Sequence, residues 1–207
     1  MQLYESYKIV KIGCRDCRGC SACCSGMGAS IILDPFDLYQ LQKGLGMQPQ
    51  AILEQYGEFQ MQDGLILPNL KMAGERDQCS FLSQEGRCSI HDFRPGLCRL
   101  FPLGRNYEDG KMSYFILEDA CQAPGDRTKV RIARWIGLDN VEAYEQFLTT
   151  WHYFLKERRQ KITTLPPDEW ESGVKNVSLN ILNRFYLNPY DCAADFYEQF
   201  EARMMSL

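Results

Sequence analysis

Five cysteines in eleven residues, Cys14, Cys17, Cys20, Cys23 and Cys24, constrain this chain more than any other feature of it. Two residues lie between each of Cys14, Cys17, Cys20 and Cys23 and the next. That spacing lets a tight turn aim two sulfurs at one metal while backbone N–H groups point toward the thiolates and offset their charge. A single such pair is a weak sign of a metal site, and three in succession is a strong one. Cys23 and Cys24 are adjacent, and neighbouring side chains point in different directions, so both joining one tetrahedral ion would strain the backbone. The pair therefore serves two centres, or one member ligates while the other supports it.

Cys79, Cys88, Cys98 and Cys121 form a second group, so that nine of the ten cysteines fall between Cys14 and Cys121. The opening residues mix Glu5, Lys8 and Lys11 into short apolar pieces and lack the unbroken core of a signal peptide. No run approaches the roughly 18 consecutive apolar residues that span a bilayer. The expectation is a cytoplasmic protein with no membrane segment, in a reducing compartment where thiols bind metal more often than they form disulfides. Cys192 stands alone and reads as a small buried hydrophobe. Cys14 is open between a further ligand and a spare thiol. Without these two, eight thiols remain. They suffice for two four-thiolate zinc sites, or for one four-iron cluster with thiols left for a second metal. All-thiolate ligation suits either metal. The density of thiols, the adjacent pair and Pro102 after Phe101 favour iron-sulfur.

Thiolates in such numbers need compensating cations, and Arg15, Arg18, Arg87, Arg94, Arg99 and Arg105 sit among them. Elsewhere charge is unremarkable. A net charge of -4 with both signs scattered leaves no basic stripe to follow a phosphate backbone, which argues against nucleic acid. A chain of 207 residues, 45% hydrophobic and 24% charged, folds without a metal's help into a compact body. The expected fold is mainly α with irregular, Cys-rich, metal-bound loops, a small α+β element at most, and a helical C-terminal region. Two domains are expected, a cysteine-cluster domain over residues 1–128 and helices over 129–207 packing on it.

Asp34 suits an N-cap with Pro35 at the first helical position, and Leu38, Leu41 and Leu45 follow at helical spacing. A second short helix is expected from Pro49. Gly64 to Met72, broken by Pro68, reads as an edge strand or extended loop, and Cys79 to Pro124 as mostly loop. Asp139 with Glu142 resembles a capping box. Val141, Tyr144, Phe147, Leu148, Trp151, Phe154 and Leu155 then define one apolar helical face, with further helices near Asp168–Phe185 and Tyr190–Met204.

Cys17, Cys20, Cys23 and Cys24, then Cys79-Ser-Phe-Leu, Gly86-Arg-Cys88-Ser-Ile, and Arg94-Pro95 leading to Cys98-Arg99 and Phe101-Pro102, resemble the CxxCxxCC family, the YkgJ-like group described as zinc- or iron-chelating. The resemblance covers about residues 12 to 125. It implies a cysteine-rich metal-binding domain whose ligands are Cys17, Cys20, Cys23, Cys24, Cys79, Cys88, Cys98 and Cys121. The sequence departs from the pattern at His91, where an aromatic is usual, and at Ser21, where glycine is usual. A similar cluster occurs in the longer flagellin lysine methylases, whose activity is not carried over. Two uses follow. One is a metal-binding protein with a structural, stored or redox-active centre and helices that cover it or dock a protein partner. The other is a modification enzyme with an iron-sulfur centre beside a substrate pocket. His91, three residues after Cys88, is a candidate zinc ligand or a packing residue. His152, between Trp151 and Tyr153, reads as ordinary structure.

Overall fold

The computed structural model describes residues 1–13, 21–75, 77–121 and 125–206. The segment bearing Cys14, Cys17 and Cys20, with the metal ligation expected of them, lies outside the described residues.

Strand β1 (Ile9–Gly13) leads toward the first cysteine group and pairs antiparallel with β8 (Thr128–Arg131), with Gly13 opposite Thr128. A Cβ at Gly13 would collide with the Thr128 hydroxyl, so glycine is what allows the two strands to meet here. This pair brackets nearly all of the cysteine-bearing segment.

Between them run α1 (Pro35–Leu45), α2 (Pro49–Tyr56), the hairpin of β2 (Gly57–Gln62) and β3 (Leu65–Leu70), and the short pair β4 (Met72–Ala73) and β5 (Gln78–Cys79). Helix α3 (Gly96–Leu100) and the hairpin of β6 (Leu103–Glu108) and β7 (Lys111–Ile116) follow. After β8 the chain is helical, through α4 (Ile132–Ile136), α5 (Val141–Thr163), α6 (Pro167–Leu182) with a wider turn over Asn183–Leu187, and α7 (Phe196–Met205). No helix among the described residues is long and apolar enough to cross a membrane.

The fold is therefore an α+β mix, 46% helical and 22% strand with several small antiparallel sheets, and the expectation of a mainly α protein is wrong. The strands escape a reading by periodicity because none is longer than six residues and the two larger hairpins are closed by two-residue turns. In both larger hairpins that turn is Asp-Gly with positive φ at each residue, 49° and 84° at Asp63-Gly64 and 49° and 75° at Asp109-Gly110. Such turns match the right-handed twist of the flanking strands. The stretch expected to be mostly loop from Cys79 onward likewise contains α3 and the β6–β7 hairpin.

Helix α1 starts as its sequence demands. The Asp37 N–H donates to Asp34 Oδ1 (2.9 Å), the Asp34 N–H donates to Asp37 Oδ2 (3.0 Å), and Pro35 holds the first turn. Helix α5 is capped by Asn140, whose side chain accepts from the Ala143 N–H, rather than by Asp139. Its expected apolar face is buried except for half-buried Val141. Phe147 meets Phe200 edge-on at 4.8 Å and Phe196 at 5.2 Å, and Phe36 of α1 meets Phe196 at 5.1 Å. These edge-to-face contacts add to the area each ring buries. Tyr186 Oη donates to the Leu33 carbonyl (2.8 Å) and Gln42 Nε2 to the Tyr190 carbonyl (2.7 Å), so the C-terminal part of the chain holds both ends of α1.

Candidate metal centre

Cys23, Cys24, Cys79, Cys88 and Cys98 line one cavity of about 60 Å³, together with His91 and Arg94. Three separate stretches of chain bring them there. Cys23 and Cys24 end a single 3-10 turn over Ala22–Cys24, closed by the Cys24 N–H on the Ser21 carbonyl (2.9 Å). That turn is tied to the β4–β5 loop by the Gly26 N–H on the Asp77 carbonyl (2.8 Å) and the Gly28 N–H on Asp77 Oδ2 (2.9 Å). Cys79 ends β5 opposite Met72. The chain then doubles back through Gly86 at positive φ, Leu82 pairs with Cys88, and the Ser89 N–H donates to the Phe81 carbonyl (2.9 Å). This return sets Cys88 beside Cys79.

Cys98 is positioned by α1. The first residue of its helix, Gly96, donates its N–H to Asp37 Oδ1 (2.7 Å). A Cβ on Gly96 would strike Tyr144 Oη and would lie 2.7 Å from Arg105 Nη2, so the glycine lets three side chains close on this turn. The far end of α3 is fastened by Trp135 Nε1, which donates to the Leu100 and Phe101 carbonyls at 3.2 Å each. The Phe93 ring packs flat where Gly44 leaves α1 without a side chain. Helix α1 is thus the platform of the site. No spacing in the sequence announces Asp37, Gly96 or Gly44 in this role, because each acts across a long stretch of chain.

The thiols feel one another. Cys23 and Cys24 share a hydrogen bond that lowers Cys23 to about 6, with Arg94 helping, and pushes Cys24 up because one thiol of the pair keeps its proton. Burial raises Cys79, Cys88 and Cys98, and the neighbouring sulfurs add to the rise. Among the described residues no three Cys, His, Asp or Glu side chains stand close enough to hold a metal ion. To hold an ion these sulfurs would have to draw closer, and Cys24, Cys79, Cys88 and Cys98, whose protons are held more tightly than usual, would have to give them up as they did so.

The cations divide by role. Arg87 and Arg94 line the cavity, and Arg94 meets the His91 ring. Arg99 is turned away, its guanidinium donating to the carbonyls of Asp92 (3.0 Å) and Ile136 (3.3 Å). Arg105 donates to Tyr144 Oη (2.8 Å). Arg15 and Arg18 lie outside the described residues. Cys121 does not line the cavity, and its carbonyl accepts from Arg127 (2.7 Å). Cys192 also lies apart, half-buried near the Tyr190 carbonyl in a turn rather than in the helical segment expected for it.

A family model, CxxCxxCC, "Putative zinc- or iron-chelating domain", matches residues 16–122, just over half of the chain. This chain belongs to that family. The matched span contains eight of the ten cysteines, all but Cys14 and Cys192. No curated protein and no solved structure matches the chain.

Proposed function

We propose that this cavity is a thiolate metal centre, in which Cys23, Cys24, Cys79, Cys88 and Cys98, joined by Cys17 and Cys20 from the adjoining segment, hold iron as an iron-sulfur cluster. The observation that carries the reading is the convergence of five thiols from three chain segments on one cavity. One tetrahedral zinc ion takes four ligands, so five or more thiols exceed the need of a single ion and suit a polynuclear centre or two adjacent ones. Cys121 is then a donor for a second site. Arg94 offsets the accumulated negative charge, and a reducing cytoplasmic setting keeps the thiols free for metal. Bound there, such a centre supplies either electron transfer or a cross-link between three loops.

Purification without oxygen, followed by visible absorption and assay of iron, acid-labile sulfide and zinc, tests the reading. Brown protein with iron and sulfide in matching amounts is expected. Colourless protein holding only zinc would overturn the cluster while keeping the thiolate site, and metal-free folded protein would overturn both.

A further inference from the structure

Beside the thiol centre lies a second feature that metal chelation does not use. Arg105 of β6 and Arg159 of α5 line one cavity of about 190 Å³, with Tyr107, His152, Trp151 and Asp34. Both arginines are half-buried, and cations drawn out of water are ordinarily matched by carboxylates. Among the described residues no carboxylate lies within 4 Å of Arg105, and Arg159 has only the exposed Asp63, at 3.7 Å. The Nε atoms of both arginines are buried without a hydrogen-bond partner. Each guanidinium is thus left short of acceptors by the chain, and two such cations on the wall of one cavity point to an anion that the chain itself does not provide.

The other polar walls are fixed. The Tyr107 and His152 rings stack face to face, 3.9 Å between centroids and 2° from parallel. Burial and the neighbouring Arg159 and Lys156 lower His152, leaving a neutral imidazole. Asp34 has Oδ1 engaged by the Asp37 N–H, and burial raises its pKa, so it opposes the two guanidiniums weakly. Burial works against the charge of Arg105, but a guanidinium stays protonated across the accessible pH range.

We propose that the cavity between Arg105 and Arg159 binds a small carboxylic acid, its carboxylate on the two guanidiniums and its apolar body against Trp151. Arg105 and Tyr107 also line a neighbouring cavity of about 410 Å³ that reaches Cys23 and Cys98. A bound acid therefore sits one side-chain layer from the thiols. The site stands on the arginines alone and goes beyond the metal reading.

The test is calorimetric titration of the full-length protein, its metal content assayed in the same sample, with hexanoate, hexanol and inorganic phosphate. Hexanoate is expected to bind one to one and hexanol at least tenfold more weakly. Arg159→Gln, on a partly exposed side chain, should weaken hexanoate at least tenfold with metal content and melting temperature unchanged, and Arg159→Lys should recover part of the loss. Equal binding of acid and alcohol, no binding of hexanoate, or an Arg159→Gln protein that binds like the parent would overturn the proposal. Displacement of hexanoate by equimolar phosphate would overturn the carboxylic-acid assignment in favour of a bare oxyanion. Because the acid and alcohol are compared on the parent protein, the test does not depend on any variant folding.

Discussion

The aromatic helical half and the cysteine loops are held together by different physics. Around Phe147 and Trp151, ring meets ring at 4.8 to 5.2 Å, and the packing needs nothing from outside. Around Cys79 and Cys88, order comes from backbone hydrogen bonds such as Ser89 to Phe81 and from seats on α1, while the thiols face a cavity. The first region should fail by losing stability, the second by losing its ligand. Each of the following substitutions is placed to separate these outcomes.

The largest effect belongs to the cavity. Replacing Cys79 or Cys88 by Ser should remove most bound metal, read by elemental analysis, while far-UV circular dichroism of the helices is kept. Cys192→Ser should leave metal content unchanged, because that thiol lies apart from the cavity. Loss of helicity on Cys79→Ser would show that the two regions are not separable.

Phe147→Ala is the converse. It removes a buried ring from a cluster with Phe36, Phe196 and Phe200 and should cost about 3–5 kcal/mol in denaturant unfolding. Metal per folded molecule should not change. Gly96→Ala falls between the two regions, because the added methyl meets Tyr144 Oη and Arg105 while the same turn carries Cys98. A cost of about 1–3 kcal/mol is expected, and metal affinity should fall with it. An effect on stability alone would mean that α1 supports the fold without positioning the thiol.

The smallest effect is on the pH profile. Burial and the neighbouring Asp34 raise Asp37 from 3.8 to about 8, against the N–H donors of Asp34 and Gly96 and the charge of Arg105. The folded chain then holds a proton that the unfolded chain has released. Stability from this group is intact below the unfolded value, declines as pH rises through the window, and is fully lost above the folded value. Melting temperature should therefore fall between pH 4 and 8, and Asp37→Asn should flatten that slope. An unchanged slope would assign it to other groups.

What the sequence discloses divides along the same line. The helical half is readable because burial repeats every turn along α5, and the Asp34-Pro35 start of α1 is local chemistry. The cap of α5 falls on Asn140 rather than Asp139 because periodicity fixes a face but not its first residue. Spacing marks two cysteine groups along the chain but not which of their thiols meet, and Cys121 of the second group lies apart from the cavity. The hairpins carried a signal in Asp63-Gly64 and Asp109-Gly110, but their strands are too short for alternation to stand out. Asp37 on Gly96 and Phe93 over Gly44 had no local signal, since each contact joins residues some 50 to 60 positions apart.

Alkylation of the native protein, resolved cysteine by cysteine by mass spectrometry before and after chelation, tests the central claim most directly. Cys23, Cys24, Cys79, Cys88 and Cys98 should be protected until metal is removed and then react, while Cys192, half-buried like them, should react at one rate throughout. Equal rates for the five thiols with and without chelator would contradict a metal centre at this cavity.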